Sequence, residues 1–381
     1  MHVLVVTVVH DPRDARIRKR QIESLLRAGH RVTYAAPWPA DSPGDPDPSV
    51  TSIRLPRAHG RKRLRAQRAA WRTIRDLDGH VDLIVGHDPE LLMGLGAAHF
   101  SVAVWDVHED LPAAIGEKRW IPRLLRPVVA AAARRALRVL ARRVDVILAE
   151  EGYRDEWPGA PVVPNTPWQP VEVPPPDDGR VVYVGRVSRG RGALTLVALA
   201  SDERLRGRIH LYGPVDEDVA ALVRDADARG DLHMHGFVPN DEVLRAIDGA
   251  SVGLSPLGDL PNYRHSVPTK ILEYAAHGVP VVTTPLTRAT EIVRSAGCGV
   301  VVADFDPPTL ADAVADLLGD DQRRARLARN GRDAVAARWS WDTDGPRFVA
   351  LLEGFVAGAA TRPGQLDDRD PGPAAEGGRE S

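Results

Sequence analysis

Cysteine is nearly absent from this 381-residue chain, and Cys298 is the single one. That excludes an internal disulfide framework and a zinc site built on cysteine pairs, and it fits a reducing compartment. Lysine is almost as scarce. Of the 50 basic residues only Lys19, Lys62, Lys118 and Lys270 are lysines. The bias reads as GC-rich coding, so an arginine alone says little and a lysine says more. No uncharged apolar run reaches the roughly 18–20 residues that a membrane span needs. The start, MHVLVVTVVH, lacks the basic head and cleavage site of a secretory leader, and charged DPRDARIRKR follows at once. These features set a cytoplasmic expectation. Also missing are a G-x-x-x-x-G-K-[ST] loop and a G-x-G-x-x-G after a strand, which argues against a P-loop NTPase or an NAD enzyme.

What is present is an ordinary globular balance, 43% hydrophobic and 27% charged. The length suits two domains. Net charge is −2. Residues 1–170 hold 26 basic against 20 acidic side chains, and the remainder holds 24 against 32. Neither imbalance calls for nucleic acid.

Short apolar runs alternate with helical patterns, which implies parallel strands with helices on both faces. Expected strands are Val3–Val9, Arg31–Ala36, Leu83–Val85, Val102–Asp106, Val144–Ala149 and Val162–Val163, with helices at Ile17–Ala28, Leu64–Leu77, Leu91–Ala97 and Pro122–Arg143. The Pro- and Asp-rich run 171–180 reads as a linker. A second series follows, with strands at Val181–Val184, Ile209–Tyr212, Leu232–His235, Val252–Leu254, Val279–Thr283 and Gly299–Val302. The reading is an α/β protein of two doubly wound domains, 1–170 and 181–342, facing a central cleft. Residues 343–358 form a late helix, and 360–381 read as a disordered tail. The basic stretch Pro122–Arg143 invites a membrane-surface reading. Its apolar side is Ala-rich, so packing on the sheet is the favoured expectation.

Five segments carry chemistry. In Arg264-His265-Ser266-Val267-Pro268-Thr269-Lys270, polar residues lead into a proline and an amphipathic helix. Free N–H groups at a helix start favour a phosphate, and Ser266 is placed to cap it. Lysine in a first turn is disfavoured by the macrodipole, so Lys270 makes sense beside a dianion. Glu273, at i+3, can share its face and accept a pair of hydroxyls. A capped surface helix with a Lys–Glu pair is an equal reading of these residues. In VGRVSRGRG, Gly185 ends a strand, and Arg186 and Arg191 offer fork-like donors to phosphate oxygens. In Trp105-Asp106-Val107-His108-Glu109-Asp110, a strand ends in a His–carboxylate cluster that could do acid–base work or bind metal, although further ligands for a metal are not evident and a lone loop histidine is more often structural. His87-Asp88-Pro89-Glu90 is a similar strand end. In the loop His10–Arg16, Asp14 and Arg16 are candidates for acceptor contact, although capping explains Asp14 equally.

Together these segments resemble glycosyltransferase family 4, of the GT-B fold, over nearly the whole chain to about residue 357. PTKILEYAAHGVPVVTT is similar to the donor-site helix of that family. VGRVSRGRG resembles its G-R-x-x-x-x-K-G loop, with Arg191 where Lys is usual. Asp-x-His-Glu at 106–109 looks like the first-domain His motif of a subgroup. The resemblance implies a retaining transfer without metal or other cofactor, from a nucleoside diphosphate sugar (UDP or GDP) to a small-molecule, natural-product or envelope-precursor acceptor. It implies that Arg186 and Arg191 neutralise the leaving diphosphate, and that Ser266, Val267, Pro268, Thr269 and Lys270 hold the same phosphates. Glu273 would take the ribose hydroxyls, Gly185 and Gly236 would line the donor, and His108 would touch the transferred sugar. Asp14, Arg16, His87 and Glu109 would face the acceptor. His265 stands where the family often has a second Glu, so sugar preference is open there. The other readings are a nucleotide-sugar 2-epimerase on the same fold and a non-catalytic sugar-nucleotide-binding protein.

Overall fold

The computed structural model describes residues 1–108, 122, 125–264 and 266–360. Glu109, His265 and the expected tail from 361 lie outside the described residues.

The first sheet holds β1 (His2–Val6), β2 (Arg31–Ala36), β3 (Val50–Arg54), β4 (Leu83–Gly86), β5 (Val102–Val107) and β6 (Asp145–Leu148), in the order β3-β2-β1-β4-β5-β6. The second holds β7 (Val181–Val184), β8 (Ile209–Tyr212), β9 (Leu232–Gly236), β10 (Val252–Ser255), β11 (Val281–Thr283) and β12 (Gly299–Val301), in the order β12-β11-β10-β7-β8-β9. Every pairing is parallel. The strands read as continuous apolar runs because helices cover both faces. The two sheets share one winding. In each, the first strand lies between the second and the fourth, which opens a crevice at their carboxyl ends. Residues 171–180 connect the sheets without regular structure.

On one face of the first sheet, Leu4, Val6, Ile84 and Trp105 pack against Ala70 and Ile74 of helix Arg63–Leu77, Leu92 and Leu95 of the short helix Leu92–Leu95, and Leu137 of helix Arg126–Leu140. On the other face, Val3, Val5, Ile17 and Leu25 pack against Trp341, Phe348 and Leu352 of the last helix, Trp341–Ala360. The last helix therefore crosses back to the first sheet. It begins at Trp341, two residues before the expected bound, and Trp341 is buried. The Trp341 indole donates to Ser24 Oγ at 2.8 Å.

Three differences from expectation have local causes. β3 follows a Pro- and Asp-rich segment and is an edge strand, so its pattern is weak. Val162 makes only an isolated bridge to Leu148. The helix expected at Ile17 opens as a wider π-helical turn, Ile17–Ile22, before the α-helix Glu23–Arg27; Arg18, Arg20 and Gln21 are buried there. The basic stretch packs on the sheet as expected, through Leu137 and Ala141, while Leu125, Val128, Val129 and Val139 are exposed.

Candidate active site

The crevice of the second sheet collects its charge at two loops. β7 ends at Gly185, whose φ of +123° suits glycine. The neighbouring crossing is tight. A Cβ on Gly213, at φ +145°, would stand 2.2 Å from the Gly185 carbonyl oxygen. A Cβ on Gly185 would meet Lys270 Nζ at 3.5 Å and Arg191 Nη1 at 3.9 Å. The bare Gly185 backbone is thus where two cations converge. Lys270 is buried in helix Thr269–Ala276, and its ammonium lies 3.7 Å from the centre of the Tyr183 ring. It has no hydrogen-bond partner among the described residues. Burial first, and Arg191 second, pull its pKa well below the ordinary lysine value, against the pull of Glu273.

Glu273 does not pair with Lys270, as the i+3 spacing allowed. Its Oε1 accepts from Arg20 Nη2 at 3.0 Å and from Asn240 Nδ2 at 3.3 Å. Arg20 comes from the first domain, is buried, and also donates to Asn165. The two domains meet again where Lys19 Nζ lies 3.1 Å from Asp241 and where Arg13 covers the Phe237 ring.

Other sequence candidates are placed differently. Arg186 is exposed and pairs with Asp216 at 2.7 Å, so the structure does not bring its guanidinium to the Lys270–Arg191 pair. Pro268 is the residue before the helix, and no side chain caps it, so Ser266 does not serve as a cap. Val267 and Glu150 of the first domain line one pocket; burial raises the Glu150 pKa, and the Val267 backbone pulls it back down. Thr269 sits in the first turn beside Lys270. Gly236 ends β9 at φ +70° and faces open space.

In the first sheet the crevice gathers histidines. The loop after β1, the end of β4 and the end of β5 are neighbours by strand order, so His10, His87 and His108 meet. His108 Nε2 lies 2.8 Å from His10 Nε2. His87 Nδ1 and His108 Nδ1 approach Asp106 Oδ2 at 3.2 and 3.7 Å. Arg16 grips Asp106 with two bonds, at 2.8 and 2.7 Å, and Gln21 adds a third. Burial alone would raise the Asp106 pKa, yet Arg16 holds it well below the carboxylate range. Burial disfavours charge on His108 too, but Asp106 outweighs it and raises the pKa. Burial prevails at His87 and lowers it. His87, Asp106 and His108 are close enough to hold a metal ion. However, both Asp106 oxygens already accept from Arg16.

Two acceptor-side candidates are used internally. Asp14 Oδ1 caps the turn, accepting from the N–H groups of Arg16 and Ile17. The Arg16 fork is spent on Asp106 and the Val163 carbonyl. Sequence reasoning did not single out His10, Arg20, Asn240 or Glu150. His10 lay in a loop already noted, but no local signal could pair Arg20 with a residue 253 positions away.

With this geometry in view, the class is clear: two like-wound parallel sheets with a returning last helix make a GT-B fold. Sucrose-phosphate synthase from Thermosynechococcus elongatus superposes with a TM-score of 0.70 at 19% identity, over 94% of this chain and 99% of that one. Anabaena HepE, solved in complex with UDP, superposes with a TM-score of 0.63 at 15% identity, over 93% and 99%. Residues 178–320 match the family model described as glycosyl transferases group 1. A GDP-mannose-dependent alpha-(1-6)-phosphatidylinositol monomannoside mannosyltransferase of Mycobacterium tuberculosis is 39% identical over 83 residues. That match spans 22% of either chain, about a fifth of the relative's length.

Proposed function

We propose that this protein is a retaining glycosyltransferase that moves a sugar from a nucleoside diphosphate sugar to an acceptor bound against the first domain. The observation that carries the reading is the Lys270–Arg191 pair at Gly185. An ammonium buried without a hydrogen-bond partner is costly, and a second cation beside it makes it costlier. A diphosphate would satisfy both and would develop its charge there as the glycosidic bond breaks.

The remaining parts follow from placement. Glu273 offers Oε2 to the ribose, while Arg20 and Asn240 hold Oε1. His108, whose pKa Asp106 raises against burial, faces His10 and donates to the transferred sugar. Arg186 joins the phosphates only if it leaves Asp216. The reading includes no metal and no other cofactor. GDP is supported by the mannosyltransferase's name and UDP by the HepE complex. The mannosyltransferase's name supports a phosphatidylinositol-type acceptor, and the name of the alpha-D-kanosaminyltransferase of Streptomyces kanamyceticus supports a natural-product one.

The test is a screen of UDP- and GDP-sugars against acceptor panels, read by mass spectrometry. The expected result is an acceptor heavier by one sugar unit, with the donor's anomeric configuration kept. Epimerised nucleotide sugar formed without acceptor would contradict it, as would donor binding with no turnover on any acceptor.

A further inference from the structure

The helices Arg63–Leu77, Leu92–Leu95 and Arg126–Leu140 cover one face of the first sheet. Their inward sides are spent on the core. Their outward sides share two properties that an ordinary water-facing surface avoids.

The first is charge without counter-charge. Lys62, Arg65, Arg68, Arg72, Arg135 and Arg142 form no ion pair among the described residues. On the same helices Arg63 is held by Glu90, Arg75 by Asp76, and Arg134 and Arg138 by Glu156. Free arginines alone are not distinctive, because Arg224, Arg294, Arg326 and Arg329 of the second domain are also exposed and form no ion pair among the described residues; what marks this face is the second property.

The second is apolar exposure among those cations. Leu64 is 62% exposed and Val128 66%, and Met93, Leu125, Val129 and Val139 also face out. A groove of 580 Å³ opens between helix Arg63–Leu77 and the 93–99 segment, lined by Arg68, Trp71, Arg72, Arg75 and Met93. Guanidinium groups lining one groove suit a phosphate monoester or diester.

From this the geometry points to a docking face for an anionic phospholipid bilayer, with the Arg68–Trp71–Arg72 groove taking a headgroup phosphate. Lipid satisfies both properties at once. Phosphates neutralise the free cations, and Leu64, Val128 and Val139 enter the acyl boundary. A nucleic acid or an acidic protein patch would answer the charge and leave the aliphatic side chains in water. The inference does not depend on the donor chemistry.

The full chain is sedimented with vesicles of phosphatidylcholine alone and with about one-third phosphatidylglycerol added. Partition is expected to be at least about tenfold stronger on the anionic vesicles and to fall with salt. The exposed triple change Arg65→Glu/Arg68→Glu/Arg72→Glu is expected to weaken it about tenfold. Val128→Asp/Val139→Asp should weaken it as well, with the thermal midpoints of both variants unchanged as a check on folding. The inference is overturned by no partition, by equal partition to both vesicles, or by full binding of the triple variant. Tighter binding to single-stranded RNA, indifferent to the valine changes, also overturns it.

Discussion

At the scale of residues, the site is defined by groups whose partners do not balance them. Lys270 is the clearest. Its folded pKa lies below the unfolded value, so between the two the unfolded chain binds a proton that the folded chain does not. Stability therefore rises with pH through that window, and below it the folded state bears the full cost of the charge. Lys270→Met should raise the thermal midpoint of the ligand-free protein at neutral pH while removing nucleotide binding. A lower midpoint would mean that Lys270 is structural. Arg20 and Glu273 are the balanced counterpart. Removing either one leaves a buried charge, at a cost of about 3–5 kcal/mol, whereas replacing both with apolar residues costs much less. Urea unfolding of Arg20→Met, Glu273→Leu and the double variant should show that non-additivity. The histidines titrate in opposite senses. Neutral His87, with its lowered pKa, makes stability fall as pH drops below about 6.5. His108, with its raised pKa, stabilises below about 6.5 and loses that contribution as pH rises through its folded value. His87→Gln should flatten the acid-side fall in the thermal midpoint.

At the scale of elements, two contacts fix the frame. Gly213 crosses the Gly185 carbonyl so closely that Gly213→Ala must shift backbone. Urea denaturation should show a loss of more than about 2 kcal/mol. Trp341 anchors the returning helix, and Trp341→Ala should cost about 3–5 kcal/mol. Elements buried on both faces were legible in the chain, because their hydrophobic runs are unbroken; β2, β7 and β8 fall on their expected bounds. β3 and the π-helical turn were not, since an edge strand and a one-residue widening leave little periodic trace. The site divides in the same way. Gly185, Lys270 and His108 stand at strand or helix ends and could be read locally. Arg20, Asn240 and Glu150 reach the site only by tertiary approach, and Asp14 and Arg16, read as acceptor contacts, serve the fold instead.

At the scale of the whole molecule, the two crevices face each other because both sheets are wound alike and the last helix ties the chain back to the first. Arg20–Glu273, Lys19–Asp241 and Glu150–Val267 cross between the domains. The grip on Glu273 therefore depends on the first domain being in place, and nucleotide affinity should respond to Arg20 although Arg20 lies outside the donor domain. The central claim is that the uncompensated Lys270–Arg191 pair is built for a diphosphate. Calorimetric titration of UDP and GDP into the native protein and into Lys270→Met tests it most directly. Binding of at least one nucleotide to the native protein, weakened at least about tenfold in a variant that remains folded, is the expected result. Equal affinity in the two proteins, or no binding of either nucleotide to the native chain, would contradict it.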